Sequence, residues 1–169
     1  MLKRVVTPSP PPRQRSARAG LKIAWEPFGQ VIEEALPQLR RHYAELELDD
    51  PFDPDWKSLL WMASQNRQRV AVVRDRGEIV GYVAGLWCSY LASRNARIVM
   101  VNAFYLEPSY RGNIRLVKQM LQMMANWGRE VKAGHMEMAA QGVHRHKINR
   151  LLRYLGWRDT PDLALRYDL

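Results

Sequence analysis

The sequence predicts an α/β domain: a mixed, mostly antiparallel sheet with helices on both faces. Three observations carry that prediction. Short runs rich in β-branched residues, such as residues 70–74 and 79–90, are bounded by turn residues. Elsewhere apolar residues recur at helical spacing, most clearly Val117, Met120, Leu121 and Met124. The order is strand, two helices, three antiparallel strands, helix, strand, helix, strand, which buries both faces of one sheet.

Taken in order, residues 23–28 read as a short first strand. From Gly29 to about Leu46 the apolar positions Val31, Ile32, Ala35, Leu39, Tyr43 and Leu46 follow helical spacing, with a kink or restart expected at Pro37. An acidic loop, residues 47–53, follows. Asp53 before Pro54 reads as an N-cap with a first-turn proline, opening a helix through Trp56, Leu59, Leu60 and Ala63. The aspartates of this stretch lack the glycine and closing glutamate of a calcium loop, so they read as a solvated loop and cap. The turn Asp75-Arg76-Gly77-Glu78 joins two strands of a hairpin, and Gly81 and Gly85 predict a bulge or a close backbone approach in the second. Asn95 breaks that pattern, and residues 96–106 make the next strand.

A basic turn, Tyr110-Arg111-Gly112-Asn113, then leads at once into a helix with Ile114, Val117, Met120, Leu121 and Met124 on one face. Gly112 permits positive φ and Asn113 is a good N-cap, so unpaired amides would point out of the helix start. With the helix dipole behind them and Arg111 and Arg115 beside them, they suit a phosphate or pyrophosphate. Gly134 stops the helix, residues 135–140 form a strand and 141–147 a loop. Residues 148–155 form a short helix ended by Gly156, and 157–169 a closing strand or hairpin.

A chain of 169 residues with 47% hydrophobic content supports one domain with a good core. Cys88 is the only cysteine, which excludes an internal disulfide and a multi-cysteine metal cluster and fits a reducing compartment. No stretch has transmembrane length, no membrane partner is expected, and the N-terminus lacks the apolar region of a secretory signal; the expected location is cytoplasmic. The net charge of +9 is uneven. Lys3, Arg4, Arg13, Arg15, Arg18 and Lys22 have no acid among them, whereas the rest of the chain is nearly balanced, which excludes a uniformly basic domain that coats nucleic acid. Residues 1–20 form a Pro-, Arg- and Ser-rich arm ahead of a domain at 21–169. The arm is either a solvated tail or, through residues 1–22, a docking segment for a protein assembly partner or nucleic acid.

The succession of elements, LEPSYRG leading into a helix, and LLRYLGW before a final strand together resemble the GCN5-related N-acetyltransferases (GNAT), over about residues 23–169. HYAEL and DPDW within residues 42–56, with VGYVAG after the hairpin turn, further resemble acetyltransferase-like proteins of bacteriophages. The resemblance implies acyl transfer from acetyl-CoA to an amine acceptor, in a GNAT-like fold whose fourth and fifth strands splay apart. It implies that Phe104, Tyr105 and Leu106 pair with the pantetheine and that Arg111, Gly112, Asn113, Ile114, Arg115 and Leu116 hold the pyrophosphate. The acceptor would enter over residues 43–55 and the edge of the 81–90 strand.

Two departures accompany it. Gly112 stands alone where the family's Arg-x-x-Gly-x-Gly/Ala loop has two or three glycines. Leu152 occupies the place of the usual thiolate-protonating tyrosine, with Tyr154 offset by two. Both favour a second expectation: a catalytically silent structural or morphogenesis protein of a phage particle, anchored by its basic arm and located in the virion.

Transfer requires thioester and neutral amine in contact, removal of a proton, and a stabilised oxyanion. His146, in the loop after the fifth strand, is a candidate base, set against a solvated histidine in a basic loop. Glu107 could position a water that deprotonates the amine. Asn102 can orient but not accept a proton, and Tyr105 either lines the cleft or belongs to the core. His144 and His146 lack a third ligand, so no metal is expected.

Overall fold

The computed structural model describes residues 20–90, 93–160 and 164–169; the basic arm expected at residues 1–20 lies outside these except for Gly20. The strands are β1 (Leu21–Glu26), β2 (Gln68–Asp75), β3 (Glu78–Tyr90), β4 (Ser93–Leu106), β5 (His135–Met138), β6 (Arg158–Asp159) and β7 (Leu165–Asp168). The helices are α1 (Phe28–Glu34), α2 (Leu36–Glu45), α3 (Trp56–Ser64), α4 (Ile114–Glu130) and α5 (Arg145–Tyr154). Among the described residues the strands make one sheet, in the order β1-β2-β3-β4-β5-β7-β6, and only β4 and β5 run parallel.

Two apolar clusters hold the layers together. On one face α4 packs Val117, Met120, Met124 and Trp127 against Val83, Val99 and Val101. On the other, Val31 and Ala35 cover Val70, Val72, Tyr82, Ala84 and Tyr105. Helices therefore cover both faces, as the alternating pattern requires. Ile114 is the exception on α4: it is 48% exposed, one turn ahead of the part of the helix that meets the sheet.

The two-residue turn Arg76-Gly77, with both φ positive, closes the β2–β3 hairpin and matches the twist of its strands. Pro37 marks the restart between α1 and α2. Other boundaries differ from expectation. Asp55, not Asp53, caps α3, because it sits three residues before the amide it accepts from, Ser58 N, at 3.0 Å. β4 begins at Ser93, since pairing with β3 carries the strand through Asn95. β5 stops at Met138, and α5 begins three residues earlier than expected.

A single bulge then decides which side chains face which layer. Ala103 pairs with Ala84 and Val101 with Gly85, so Asn102 has no partner on β3. The extra residue reverses the alternation. Before it, Val99 and Val101 face α4; after it, Phe104 and Leu106 do, and Tyr105 turns to the α2 side. Gly85 sits opposite the bulge, where an added Cβ would lie 3.0 Å from the Met124 sulfur, and one at Gly81 would lie 2.7 Å from the Tyr105 carbonyl oxygen. Both glycines are thus close-approach positions, as the sequence suggested.

Candidate active site

β4 and β5 pair only from Ile98 with His135 to Val101 with Met138, after which β5 ends and β4 continues to Leu106. The separation leaves a cavity of about 340 Å³, within the range of small-molecule sites. Tyr105, His42 and Glu45 line it from the α2 side, and Phe104, Leu106 and Val117 from the α4 side. Arg111, Gly112, His144, Lys147 and Arg150 complete the lining.

Arg111 is held inside this cavity. Its Nη2 donates to both Glu45 oxygens, at 2.7 and 2.8 Å, and its Nε to the Leu106 carbonyl at 2.7 Å. Nη1 lies 2.7 Å from His144 Nε2; a guanidinium only donates, so that nitrogen accepts. The guanidinium carbon stands 5.4 Å from the centre of the Tyr105 ring. The arginine expected to grip a pyrophosphate is thus ion-paired across to α2.

The helix start is partly engaged as well. Gly112 takes φ +88°, and Asn113 caps α4 by accepting from Leu116 N at 3.1 Å. Asn113 N and Ile114 N donate to Tyr110 and Gly112 carbonyls at 3.3 and 3.0 Å. The Gly112 and Arg115 amides have no protein acceptor among the described residues. Phe104, Tyr105, Leu106, Arg111 and Gly112 come together at the main cavity. Asn113, Arg115 and Leu116 line a separate depression of about 220 Å³ beside Lys22 on β1. Ile114 lines neither.

His42 is the cavity histidine. Its Nδ1 lies 2.8 Å from Tyr82 Oη, and its ring centre is 5.4 Å from that of Tyr105. Burial lowers its pKa to about 4, with the Arg111 charge adding to the effect and Glu45 opposing it. Burial likewise raises the hydroxyls of Tyr82 and Tyr105, which stay protonated at neutral pH. A depressed histidine pKa means that the unfolded chain binds the proton more readily than the fold. Stability is therefore full above about pH 6.5 and falls as pH drops toward 4, by on the order of 2–3 kcal/mol. Urea midpoints at pH 7 and pH 4.5 should separate more for the wild type than for His42→Asn.

Glu107 stands at the end of β4, ion-paired to Arg41 and accepting from Tyr105 Oη at 3.3 Å. It is beside the cavity rather than in its lining. His146 is not in a loop: it lies in the first turn of α5, exposed and outside the cavity lining, because the helix begins at Arg145. His144, the residue before that helix, takes the inward position instead. Leu152 is a core residue and Tyr154 is 77% exposed, so neither brings a hydroxyl to the cavity. Among the described residues no cluster of three or more metal-ligating side chains occurs, and no helix is long and apolar enough to cross a membrane.

The sequence reading missed His42, Glu45, Lys147 and Arg150 as cavity residues. A signal for the first two was present: they lie three and six positions after Leu39, polar residues along the inner stripe of α2.

The sequence profile described as the acetyltransferase (GNAT) family matches residues 28–157. No curated protein sequence matches this chain. Several solved structures share its fold. A predicted acetyltransferase with acetyl-CoA from Clostridium acetobutylicum is 16% identical, with a TM-score of 0.63 over 84% of this chain and 92% of that one. An aminoglycoside acetyltransferase from an uncultured soil metagenomic sample is 14% identical, with a TM-score of 0.66 over 88% and 97%. A ribosomal-protein-alanine N-acetyltransferase from Brucella melitensis is 19% identical, with a TM-score of 0.53 over 67% and 74%.

Proposed function

The chain belongs to the acetyltransferase (GNAT) family, and on that premise we propose that it transfers an acetyl group from acetyl-CoA to an amine acceptor. The observation that carries this reading is the β4 edge beyond Val101, which leaves β5 and opens into a cavity that Gly112 also lines. That edge, at Phe104, Tyr105 and Leu106, has the extended form an amide-bearing pantetheine arm pairs with. The open Gly112 amide, with Lys147 and Arg150 in the same cavity lining, suits the cofactor's phosphates. A similar fold has been solved with acetyl-CoA.

On the acceptor side, α2 supplies the polar groups. His42 is unprotonated at neutral pH, and with Nδ1–H donated to Tyr82 its Nε2 is left with a lone pair to receive the amine's proton. Glu107 takes the second role, holding a water at the mouth beside Tyr105. His42 stands here in place of His146, which the cavity does not include. A reducing, cytoplasmic location suits the free thiol of Cys88.

Calorimetry at physiological salt tests the reading. Acetyl-CoA should bind one to one, and Lys147→Ala with Arg150→Ala should weaken it roughly tenfold, the value of one lost charge-assisted contact. Failure to bind would leave only the fold.

A second reading, a silent scaffold protein of a bacteriophage particle, is favoured by the engagement of Arg111 with Glu45. Under it acetyl-CoA does not bind, and removing residues 1–20 abolishes assembly on the partner. If the arm instead binds nucleic acid, its affinity must fall steeply with salt.

A further inference from the structure

A second cavity, of about 130 Å³, lies beneath α1 and α3 on the sheet face opposite α4. Phe28, Phe52 and Trp56 form its outer wall, and Ala84 and Ala103 are part of its floor. Its volume is close to that of a dry engineered cavity that binds benzene, about 150 Å³. One polar group of the lining is both buried and unpartnered. Gln68 is 4% exposed, and its Oε1 has no hydrogen-bond partner. A buried carbonyl oxygen without a donor is costly, so an occupant that brings an O–H or N–H is favoured over a plain hydrocarbon.

The place of the cavity ties it to the splay. Asn102, the exposed bulge residue where β4 leaves β5, lines it at the surface. Tyr82 lines it inside, and the Tyr82 ring stacks on Tyr105 at 5.7 Å. Tyr105 in turn lines the reaction cavity, so a single pair of rings separates the two spaces.

We propose that this slot receives one phenol-type ring, with its hydroxyl donated to Gln68 Oε1.

The Ala84 and Ala103 methyl resonances report occupancy in the full chain without acetyl-CoA. p-Cresol should shift them saturably and bind about fivefold more tightly than toluene, the worth of one neutral hydrogen bond. Gln68→Leu keeps the volume, removes the unpaired oxygen, and should abolish that preference. Ala84→Leu fills the slot and should exclude both molecules. Equal affinity for the two probes in wild type and Gln68→Leu, or no saturable shift, would overturn the proposal and leave Gln68 holding a water only.

Discussion

Gly142→Ala is expected to lower the folding stability by about 3–5 kcal/mol, from the combined cost of a left-handed alanine and an overpacked contact. Gly142 has φ +71°, and a Cβ there would lie 2.0 Å from the Glu45 carbonyl oxygen and 2.7 Å from the Leu46 Cα. Those atoms are backbone, so no rotamer change relieves the collision. The loop between β5 and α5 must withdraw from the end of α2, breaking the hydrogen bond from Val143 N to the Glu45 carbonyl, 3.1 Å in the native fold. Urea denaturation should show a lower midpoint. Gly134→Ala is the control: its Cβ would approach only the Arg97 carbonyl, at 3.9 Å, and its cost should stay under about 1 kcal/mol. Equal losses in the two variants would contradict the close approach.

The contact at Gly142 also shows where sequence reading reached its limit. α4, the β2–β3 hairpin and the two glycines of β3 were legible because each leaves a local signature: helical spacing, a turn pair, or a missing side chain inside a strand. The cavity is not local. Glu45 and Arg111 are separated by 66 positions and meet only because α2 lies over Tyr82 of β3 and Tyr105 of β4. The basic turn was correctly seen as a charged corner next to a helix start. Its arginine turns inward because a carboxylate lies within reach, a fact no spacing encodes. His146 misses the cavity because α5 starts at Arg145, three residues before the expected start, and it is His144, ahead of that helix, that reaches the lining.

Arg111→Ala is expected to cost about 2–4 kcal/mol, through an unpaired Glu45 carboxylate and an unsatisfied Leu106 carbonyl at a half-buried site. Arg111→Lys should recover little of it. An ammonium is a point charge and cannot serve the two Glu45 oxygens, the Leu106 carbonyl and His144 in one plane. Denaturant midpoints of the two variants should therefore lie close together and well below the wild type. Pairing Arg111→Ala with Glu45→Gln should restore part of the loss, since the uncompensated charge is then gone. A double variant no more stable than the single one would show that the Leu106 and His144 contacts, rather than the ion pair, dominate.

The unpaired residue of β4 makes the site depend on a count rather than on an identity. Val101 and Tyr105 lie four positions apart yet face opposite layers, because their β3 partners Gly85 and Tyr82 are three apart and Asn102 is the extra, unpaired position. Exchanging that asparagine for another side chain leaves the parity intact, and so does deleting it, which leaves a plain ladder with Tyr105 still on the α2 side; drawing it into the ladder as a paired residue would turn Tyr105 toward α4 and carry Phe104 and Leu106 to the side of His42. The face of Tyr105 is therefore set by how many residues of this stretch pair with β3, and a relative one residue shorter here, without the bulge, would keep the same tyrosine on the same face.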